Sequence, residues 1–455
     1  MEDQSNAARG PAWWALGGWA GAVIIAATVA VQAFDRQLNS LSSAHPTDIN
    51  DFNRWLLLLP KLLFKHMAIH NTRWPMPPVT ILLLSPFSLL SFPSAQFVWV
   101  LMKLLLLALI LYCGLGMIRR AGGRITTLPL LLAILAWMWP VIGDMQEGQM
   151  NLLMLAPMML GLWLVQREDP LGDALGGLSL ALAVCIKVTP IIFLIYLLWR
   201  RRWRAGAAMA VGIVLWLYLP LTIAVGWPQA VLWNQQYLRV MILPYIFQGA
   251  VKVPQGESLP SFLLRLICHV PAFTTYHQGV HKNYFVNVLA LSRPVAERLI
   301  RAVLVVIGGL GLFWMRRRLP SLRCPRYVLE IGAVAAFMLW AEEWAWVPDY
   351  VTLILTLLAT AMIVADPSVR KAAARRATWA LIAAAVLMLL TSDIVKIFGP
   401  HAANYGRTAD PALFAGILLV LAILTAGGAR RPEAVAQEET LAMNPERMRL
   451  TGGRK

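Results

Sequence analysis

Apolar runs of membrane-spanning length recur along nearly the whole chain and are separated by short polar segments. A hydrocarbon core about 30 Å thick requires roughly 20 apolar residues in a helix. Backbone that faces lipid must satisfy its own hydrogen bonds, which favours helices over irregular structure. The sequence therefore predicts an all-α polytopic membrane protein with about 12 transmembrane helices, at residues 12–34, 95–118, 125–143, 148–166, 174–187, 188–199, 206–226, 294–315, 326–342, 347–365, 376–396 and 411–427.

Composition and charge exclude two other classes of protein. Hydrophobic residues make up 59% of the 455 residues and charged residues only 14%, which excludes an ordinary soluble protein. A net charge of +17 would suit a nucleic-acid-binding protein. The basic residues, however, cluster in short segments between apolar runs, which is the pattern of cytoplasmic loops. We predict a multi-pass protein of the cell membrane with no nucleic-acid partner, whose cytoplasmic clusters lie at 119–124, 200–204, 316–326, 370–376 and 430–431.

This orientation leaves two large loops, 35–94 and 227–293, on the outer side of the membrane. Within the first loop, residues 79–93 are apolar but short and contain two prolines. We expect a helix that dips into the membrane and returns, and a full crossing is the alternative. We interpret residues 1–427 as one integral membrane domain that begins with a retained anchor, followed by a polar cytoplasmic tail, 428–455, that is expected to be disordered.

Two acids, Asp48 and Asp51, lie in the first outer loop directly before an amphipathic stretch. Phe52, Trp55 and Leu59 recur there at helical spacing, so we expect a helix in the plane of the membrane interface. A carboxylate at the boundary between water and lipid suits an enzyme that joins a lipid-borne group to a water-soluble one. Alternatively, the acids only cap the helix, since aspartate favours a helix N-terminus.

Further along the same loop, Arg73 and Trp74 precede a proline-rich segment. The arginine is a candidate to hold a phosphate and the tryptophan to stack on a sugar ring. The alternative is an interfacial anchor, in which the tryptophan lies at headgroup level and the arginine extends to water.

Two other segments carry candidate binding residues beside apolar runs. Gln149 and Asn151 begin one run, where their amides suit sugar hydroxyls, although they also suit an ordinary helix start. Lys187 stands among apolar residues as a charge without an evident partner, and an ionisable residue at membrane depth is a functional-site hypothesis by default. A lysine near the interface suits a lipid-linked phosphate. The alternative is that it only anchors a helix end.

The last candidate segment combines acids and aromatic residues at the outer end of a run. It contains Glu342, Asp349 and Tyr350, which is typical of sugar sites and also of ordinary aromatic belts. The histidine pairs at 66/70 and 277/281 lack the glutamate of an HExxH motif, so we predict no metal site. The absence of a phosphate-binding loop or dinucleotide fingerprint likewise predicts no nucleotide cofactor.

The order of these segments resembles glycosyltransferase family 87, polytopic enzymes of the GT-C fold that include the polyprenol-phosphate-mannose-dependent α-1,2-mannosyltransferases of actinobacteria. Five stretches within residues 12–265 carry the resemblance: Asn50-Asp51-Phe52, Trp74-Pro75-Met76-Pro77-Pro78, Gly148-Gln149-Met150-Asn151, Lys187-Val188-Thr189-Pro190 and Glu257-Ser258-Leu259. Farther along, Trp346-Val347-Pro348-Asp349-Tyr350 lacks the histidines of the family's Trp-x-His-His-like segment.

The resemblance implies an inverting hexosyltransferase without a cofactor. Its donor would be a polyprenyl-phosphate sugar, mannose above all, and its acceptor a glycan or glycolipid in the periplasm or at the cell exterior. Asp51 would be the general base with Asp48 beside it, and Lys187 and Arg73 would hold the phosphate. The remaining substrate-binding candidates are Trp74, Gln149, Asn151, Ser258, Glu342, Asp349 and Tyr350.

The rival hypothesis is a transporter or flippase for lipid or sugar that performs no chemistry. Transporters often show inverted repeats and polar residues near the bilayer midplane. This sequence shows no evident repeat, and its candidate polar residues gather at the predicted outer face. A midplane cavity open in turn to each side would favour the rival.

Overall fold

The computed structural model describes residues 50–63, 74–244, 254–277, 280–342, 345–391 and 408–426, together with Val31 and Gly406. Four subjects of prediction lie outside these residues: the first apolar run apart from Val31, Asp48, Arg73, and the tail 428–455.

The described part of the chain is mostly helical, and each predicted apolar run within it coincides with helix. The observed ends differ from the predicted ones by a few residues. The α-helices, in chain order, are α1 Asp51–Leu63, α2 Val79–Leu84, α3 Phe92–Arg120, α4 Thr127–Gln146, α5 Asn151–Val165, α6 Pro170–Ile186, α7 Ile192–Trp199, α8 Trp203–Val225, α9 Trp227–Tyr237, α10 Leu259–Ile267, α11 Arg293–Trp314, α12 Pro325–Trp340, α13 Ile354–Ala365, α14 Lys371–Leu390 and α15 Pro411–Ala426.

Five helical segments in the described ranges are long and apolar enough to cross a membrane. They are Phe92–Arg120, Thr127–Gln146, Trp203–Val225, Val347–Ala365 and Lys371–Leu390. The last of the predicted pair at 174–199 is short, since α7 has only 8 residues and follows a 3₁₀ turn at Thr189–Ile191. The predicted number of twelve crossings therefore stays a prediction.

Residues 79–93 form a short α-helix, α2, and a 3₁₀ helix at Ser85–Leu89, and α3 begins at Phe92. Even as one continuous helix, the 11 residues of Val79–Leu89 would rise only about 16 Å, roughly half the hydrocarbon thickness. This segment is therefore too short to cross alone. It packs against the apolar face of α1, whose side chains Phe52, Leu59 and Leu62 are completely buried.

Close helix packing in the middle of the chain depends on small residues. Helix α6 lies between α5 and α8. A Cβ atom on Gly177 of α6 would lie 2.5 Å from the carbonyl oxygen of Ala205 on α8, so only glycine permits this approach. Small residues at such crossings are the usual way for membrane helices to gain van der Waals contact.

The second outer loop contains more regular structure than the sequence analysis foresaw. It holds α9, α10 and an antiparallel hairpin of β1 (Phe273–His277) and β2 (Val280–Tyr284), so the prediction of an all-α chain is wrong at this hairpin. The Phe273 and Tyr284 rings stack at 4.6 Å, which is a stabilising cross-strand pair. Sheet edges are tolerated outside the hydrocarbon region, where water satisfies them.

The end of the helices opposite the predicted outer loops contains its own polar cluster. Glu330 on α12 is completely buried and pairs with Arg200 after α7 and with Arg326, 3.0 Å away. Tyr196 donates to the same carboxylate at 3.2 Å. The cluster binds two predicted cytoplasmic turns together, so arginines that the sequence presented as a topology signal also form structural ion pairs.

Candidate active site

Six of the predicted site residues meet at one end of the helices, although they come from four separate segments of the chain. Asp51 and Gln149 form one contact, and Lys187 joins the remaining three. Gln149 and Asn151 are neighbours at the start of α5, which connects the two groups. The assembled residues are Asp51, Gln149, Asn151, Lys187, Glu342 and Asp349.

Asp51 is the first residue of α1, but it is not the residue whose side chain caps the helix. The side-chain oxygen of Asn50 accepts from the backbone N–H of Asn53 at 2.9 Å, which is the N-cap hydrogen bond. The backbone N–H of Asp51 donates to the carbonyl of Glu147 at 3.0 Å. The Asp51 carboxylate is therefore free of capping, and with 29% of its side chain exposed it is accessible to a substrate.

Gly148 permits the contact between Asp51 and Gln149. Its φ of +68° lies in the left-handed region, where a side chain is strained. A Cβ atom at this position would also lie 2.6 Å from Cβ of Phe52. Because this turn approaches the start of α1 so closely, Gln149 Nε2 donates a short hydrogen bond to Oδ2 of Asp51. The glycine of the predicted Gly-Gln-Met-Asn motif thus orients the candidate base through its neighbour.

Burial changes the basicity of Asp51. Burial raises the pKa of its carboxyl above the usual value for aspartate, Arg54 at 3.3 Å lowers the pKa, and the charge of Glu147 raises it again. The net direction is upward. A general base is more effective when its pKa lies nearer the working pH, so this environment suits proton abstraction.

Lys187 follows the last residue of α6, and its ammonium group has three partners. It lies 2.6 Å from a carboxylate oxygen of Glu342, 2.6 Å from one of Asp349 and 3.1 Å from Oδ1 of Asn151. The interpretation of Lys187 as an unpaired charge is therefore wrong. Its partners come from the loop after α12 and from a 3₁₀ helix at Val347–Leu353, which no local pattern around Lys187 reveals.

A second buried ion pair supports the site from below. Lys103 of α3 donates to the carboxylate of Asp144 at 2.8 Å and to its backbone carbonyl at 2.7 Å, and both side chains are completely buried. The other carboxylate oxygen of Asp144 accepts from the backbone N–H of Asn151 at 3.2 Å. Sequence analysis did not single out Lys103, although a lone lysine in an apolar run is a sufficient signal.

Three predicted binding residues are buried and have partners within the protein. Trp74 is 1% exposed and donates to Oγ1 of Thr80 at 3.0 Å. Tyr350 donates its hydroxyl to the carbonyl of Glu257 at 2.5 Å, and Ser258 caps α10 by accepting from Ser261 N at 3.3 Å. In this structure they pack and connect segments, so we assign them no direct substrate contact below.

The second outer loop is attached to the site by buried contacts. The backbone N–H of Glu257 donates to the carbonyl of Ala345 at 2.7 Å, close to Glu342 in the chain. Arg265 of α10 donates to the carbonyl of Gly256 at 2.7 Å and forms an ion pair with Asp410, just before α15. These contacts fix the segment 254–267 and the residues before α15 at the same end of the molecule as Asp51.

The described residues contain no group of three or more histidine, cysteine, aspartate or glutamate side chains that could hold a metal ion. The acids at the site are instead matched with lysines: Asp144 with Lys103, and Glu342 and Asp349 with Lys187.

Comparison with known proteins decides the family. The family model for glycosyltransferase family 87 matches residues 74–393, which is most of the chain. The chain belongs to glycosyltransferase family 87. Its apolar helices and its family make it a multi-pass membrane glycosyltransferase, which confirms the predicted resemblance.

A curated relative from Mycobacterium tuberculosis is named as a polyprenol-phosphate-mannose-dependent α-(1-2)-phosphatidylinositol mannoside mannosyltransferase. The family 87 chain is 30% identical to it over 148 residues, which is 30% of this chain and 34% of the relative. The match therefore spans about a third of the relative's length. No solved structure matches the chain.

Proposed function

We propose that the protein transfers a hexose, which we take to be mannose, from a polyprenyl-phosphate-linked donor to a hydroxyl of a glycan or glycolipid acceptor, with inversion. The observation that carries this proposal is Asp51: a partly exposed carboxylate, free of capping, with a raised pKa and an orienting partner. Family membership and the printed name of the mycobacterial relative support the donor class. The GT-C fold belongs to the same proposal.

The reaction needs a base and a leaving group. Asp51 accepts the proton of the acceptor hydroxyl while that oxygen bonds to the anomeric carbon from the face opposite the phosphate. The bond between the anomeric carbon and the phosphate oxygen breaks, and polyprenyl phosphate leaves with the electron pair. Gln149 holds the Asp51 carboxylate in position by its hydrogen bond.

Donor binding is assigned to Lys187 and Asn151. The three partners of the Lys187 ammonium match its three donors, so a phosphate must replace one of them. Glu342 is the partner we expect to leave, because Asp349 is additionally fixed by the backbone N–H of Trp346 at 2.7 Å. Nδ2 of Asn151 is buried without a hydrogen-bond partner in the structure, which makes it a donor for a sugar hydroxyl.

Glu342→Gln should lower the donor KM about fivefold, the equivalent of about 1 kcal/mol, and leave kcat unchanged. The amide still accepts from Lys187 but no longer opposes the phosphate charge. Initial rates against donor concentration measure this effect. Asp349→Asn is the matched control and should raise the donor KM, because Asp349 orients Lys187 in both states. A raised KM in Glu342→Gln would instead assign Glu342 to the sugar, as the sequence analysis predicted.

The experiment that tests the function uses the purified protein in proteoliposomes with radiolabelled polyprenyl-phosphate mannose and an acceptor extract. We expect a labelled glycan or glycolipid and free polyprenyl phosphate. Movement of the intact donor between leaflets without any labelled product would contradict the proposal and support the transporter or flippase.

The site is proposed to face the periplasm or cell exterior, and cysteine labelling tests this orientation. Ala409 is exposed and lies beside the Arg265–Asp410 pair, at the site's end of the molecule. Ala372 is exposed near the start of α14, next to a predicted cytoplasmic cluster. In a Cys324→Ser background, Ala409→Cys should react with an impermeant thiol reagent added to whole cells, and Ala372→Cys should react only after permeabilisation. The opposite pattern would place the site in the cytoplasm.

A further inference from the structure

A long apolar groove lies between α7, α11, α12 and α15 and has a volume of about 510 Å³. Its walls are almost entirely hydrocarbon side chains, including Phe337, Val334 and Ile417. Ile195, Leu310 and Leu421 line it and are more than half exposed, so the groove is open along one side. In a membrane this open side faces the acyl chains.

One end of the groove reaches the proposed donor site. Trp340 and Leu259 line this end. Trp340 lies two residues before Glu342, whose carboxylate is 2.6 Å from Lys187. On the other wall, Ile192 begins α7 five residues after Lys187. Both the cation and the carboxylate that it would exchange for a phosphate therefore adjoin the groove through short connections.

The chemistry of the two regions fits a single molecule with an anionic head and a hydrocarbon chain. Asp51, the proposed acceptor side, is on α1, which does not line the groove. An acceptor glycolipid would instead have to direct its hydroxyl to Asp51, so the groove suits the donor better than the acceptor.

We propose that this groove, named here the α7–α15 groove, binds the isoprenoid chain of the lipid-linked donor while Lys187 holds its phosphate. The proposal rests on the proposed function. From Ile307 to Met315 the lining of α11 rises only about 12 Å. The groove therefore holds the isoprene units nearest the phosphate, and the rest of a long chain remains in the bilayer.

Two glycines of α11 provide a matched test. Gly311 lines the groove, and a Cβ atom added there meets nothing within 4 Å. Gly309 on the same helix is also open around its Cβ position but is exposed and does not line the groove. A leucine at either position changes the helix equally. Only Gly311→Leu fills the space that the donor chain would occupy.

The test measures donor KM with mannosyl phosphates that carry one, three or eleven isoprene units. In the unmodified protein, KM should fall from the one-unit to the three-unit donor and then level off. Gly311→Leu should raise KM for the three-unit donor about tenfold, as expected for loss of about two buried CH₂ groups, and leave the one-unit donor unchanged. Gly309→Leu should match the unmodified protein with every donor.

Three results would overturn the proposal: equal KM values in Gly311→Leu and Gly309→Leu, an equal effect on the one-unit and three-unit donors, or an effect confined to the KM of a lipid acceptor. The last would assign the groove to the acceptor's acyl chain. Failure of the proposed function itself is distinguishable, because then the unmodified protein transfers no sugar from any of these donors.

Discussion

Asp51→Asn should leave the protein folded and reduce sugar transfer about 10²–10⁴-fold, the usual loss when a general base is removed. The fold should persist because Asn50 supplies the helix cap and because an amide oxygen still accepts from Gln149. Single-turnover rates with saturating donor measure the loss directly. Asp48→Asn is the matched control in the same loop and should cost less. A wild-type rate in Asp51→Asn would exclude Asp51 as the base.

The pH profile provides a second readout of the same assignment. Transfer requires ionised Asp51, so the rate should fall as pH drops through the raised pKa of this carboxyl. Arg54 lowers that pKa, so Arg54→Gln should move the acid limb of the profile to higher pH. The direction follows because loss of a nearby cation disfavours the carboxylate. An acid limb that does not move in Arg54→Gln would detach the limb from Asp51.

Lys103→Met should destabilise the protein by about 3–5 kcal/mol, the usual cost of removing one partner of a buried ion pair. Asp144 would remain completely buried without its cation, in a position where water cannot replace it. The apparent melting temperature in detergent measures the change. Donor turnover should fall as well, because Asp144 holds the N–H of Asn151 and Asn151 accepts from Lys187.

The double variant Lys103→Met/Asp144→Leu is the control for this interpretation. It removes both charges and replaces them with apolar side chains, so it should recover most of the melting temperature lost in Lys103→Met. Turnover should remain low, because the hydrogen bond to Asn151 is still missing. A Lys103→Met protein as stable as the unmodified one would show that the pair is not a structural support.

The positions of the helices were accessible from the sequence because their cause is local. An apolar run of sufficient length becomes a helix in lipid whatever its neighbours are, and prolines and arginines mark its ends. The run predicted at 125–143, for example, is the helix Thr127–Gln146. The contents of the second outer loop were less accessible, because the hairpin at Phe273–Tyr284 depends on pairing in a loop that no length rule constrains.

The site was accessible as a set of residues but not as a set of contacts. Lys187 was singled out because a charge in an apolar run is costly, and this reasoning is local. Its partners Glu342 and Asp349 lie more than 150 residues away in the chain, and only the packing of α6 against later segments brings them within 2.6 Å. For the same reason Lys103 was missed, although its own surroundings carried the same signal.

Aromatic and hydroxyl residues were the least reliable part of the sequence analysis. Trp74 and Tyr350 suit a sugar site by chemistry, yet both donate their polar hydrogens to protein oxygens and are buried. A tryptophan or tyrosine satisfies a membrane belt, a core or a ligand equally well, so its role depends on burial. Ser258 did carry a readable signal, since a serine two residues before a proline is typical of a helix start.

The open side of the α7–α15 groove has a consequence for how the proposed donor reaches the protein. A molecule that enters through this side never leaves the leaflet, so its search is two-dimensional lateral diffusion. The amount that matters is then the mole fraction of donor among the surrounding lipids, and dilution of the vesicles with buffer leaves it unchanged. Added inert phospholipid would compete for the same opening, so the saturation curve of the protein depends on membrane composition rather than on bulk concentration.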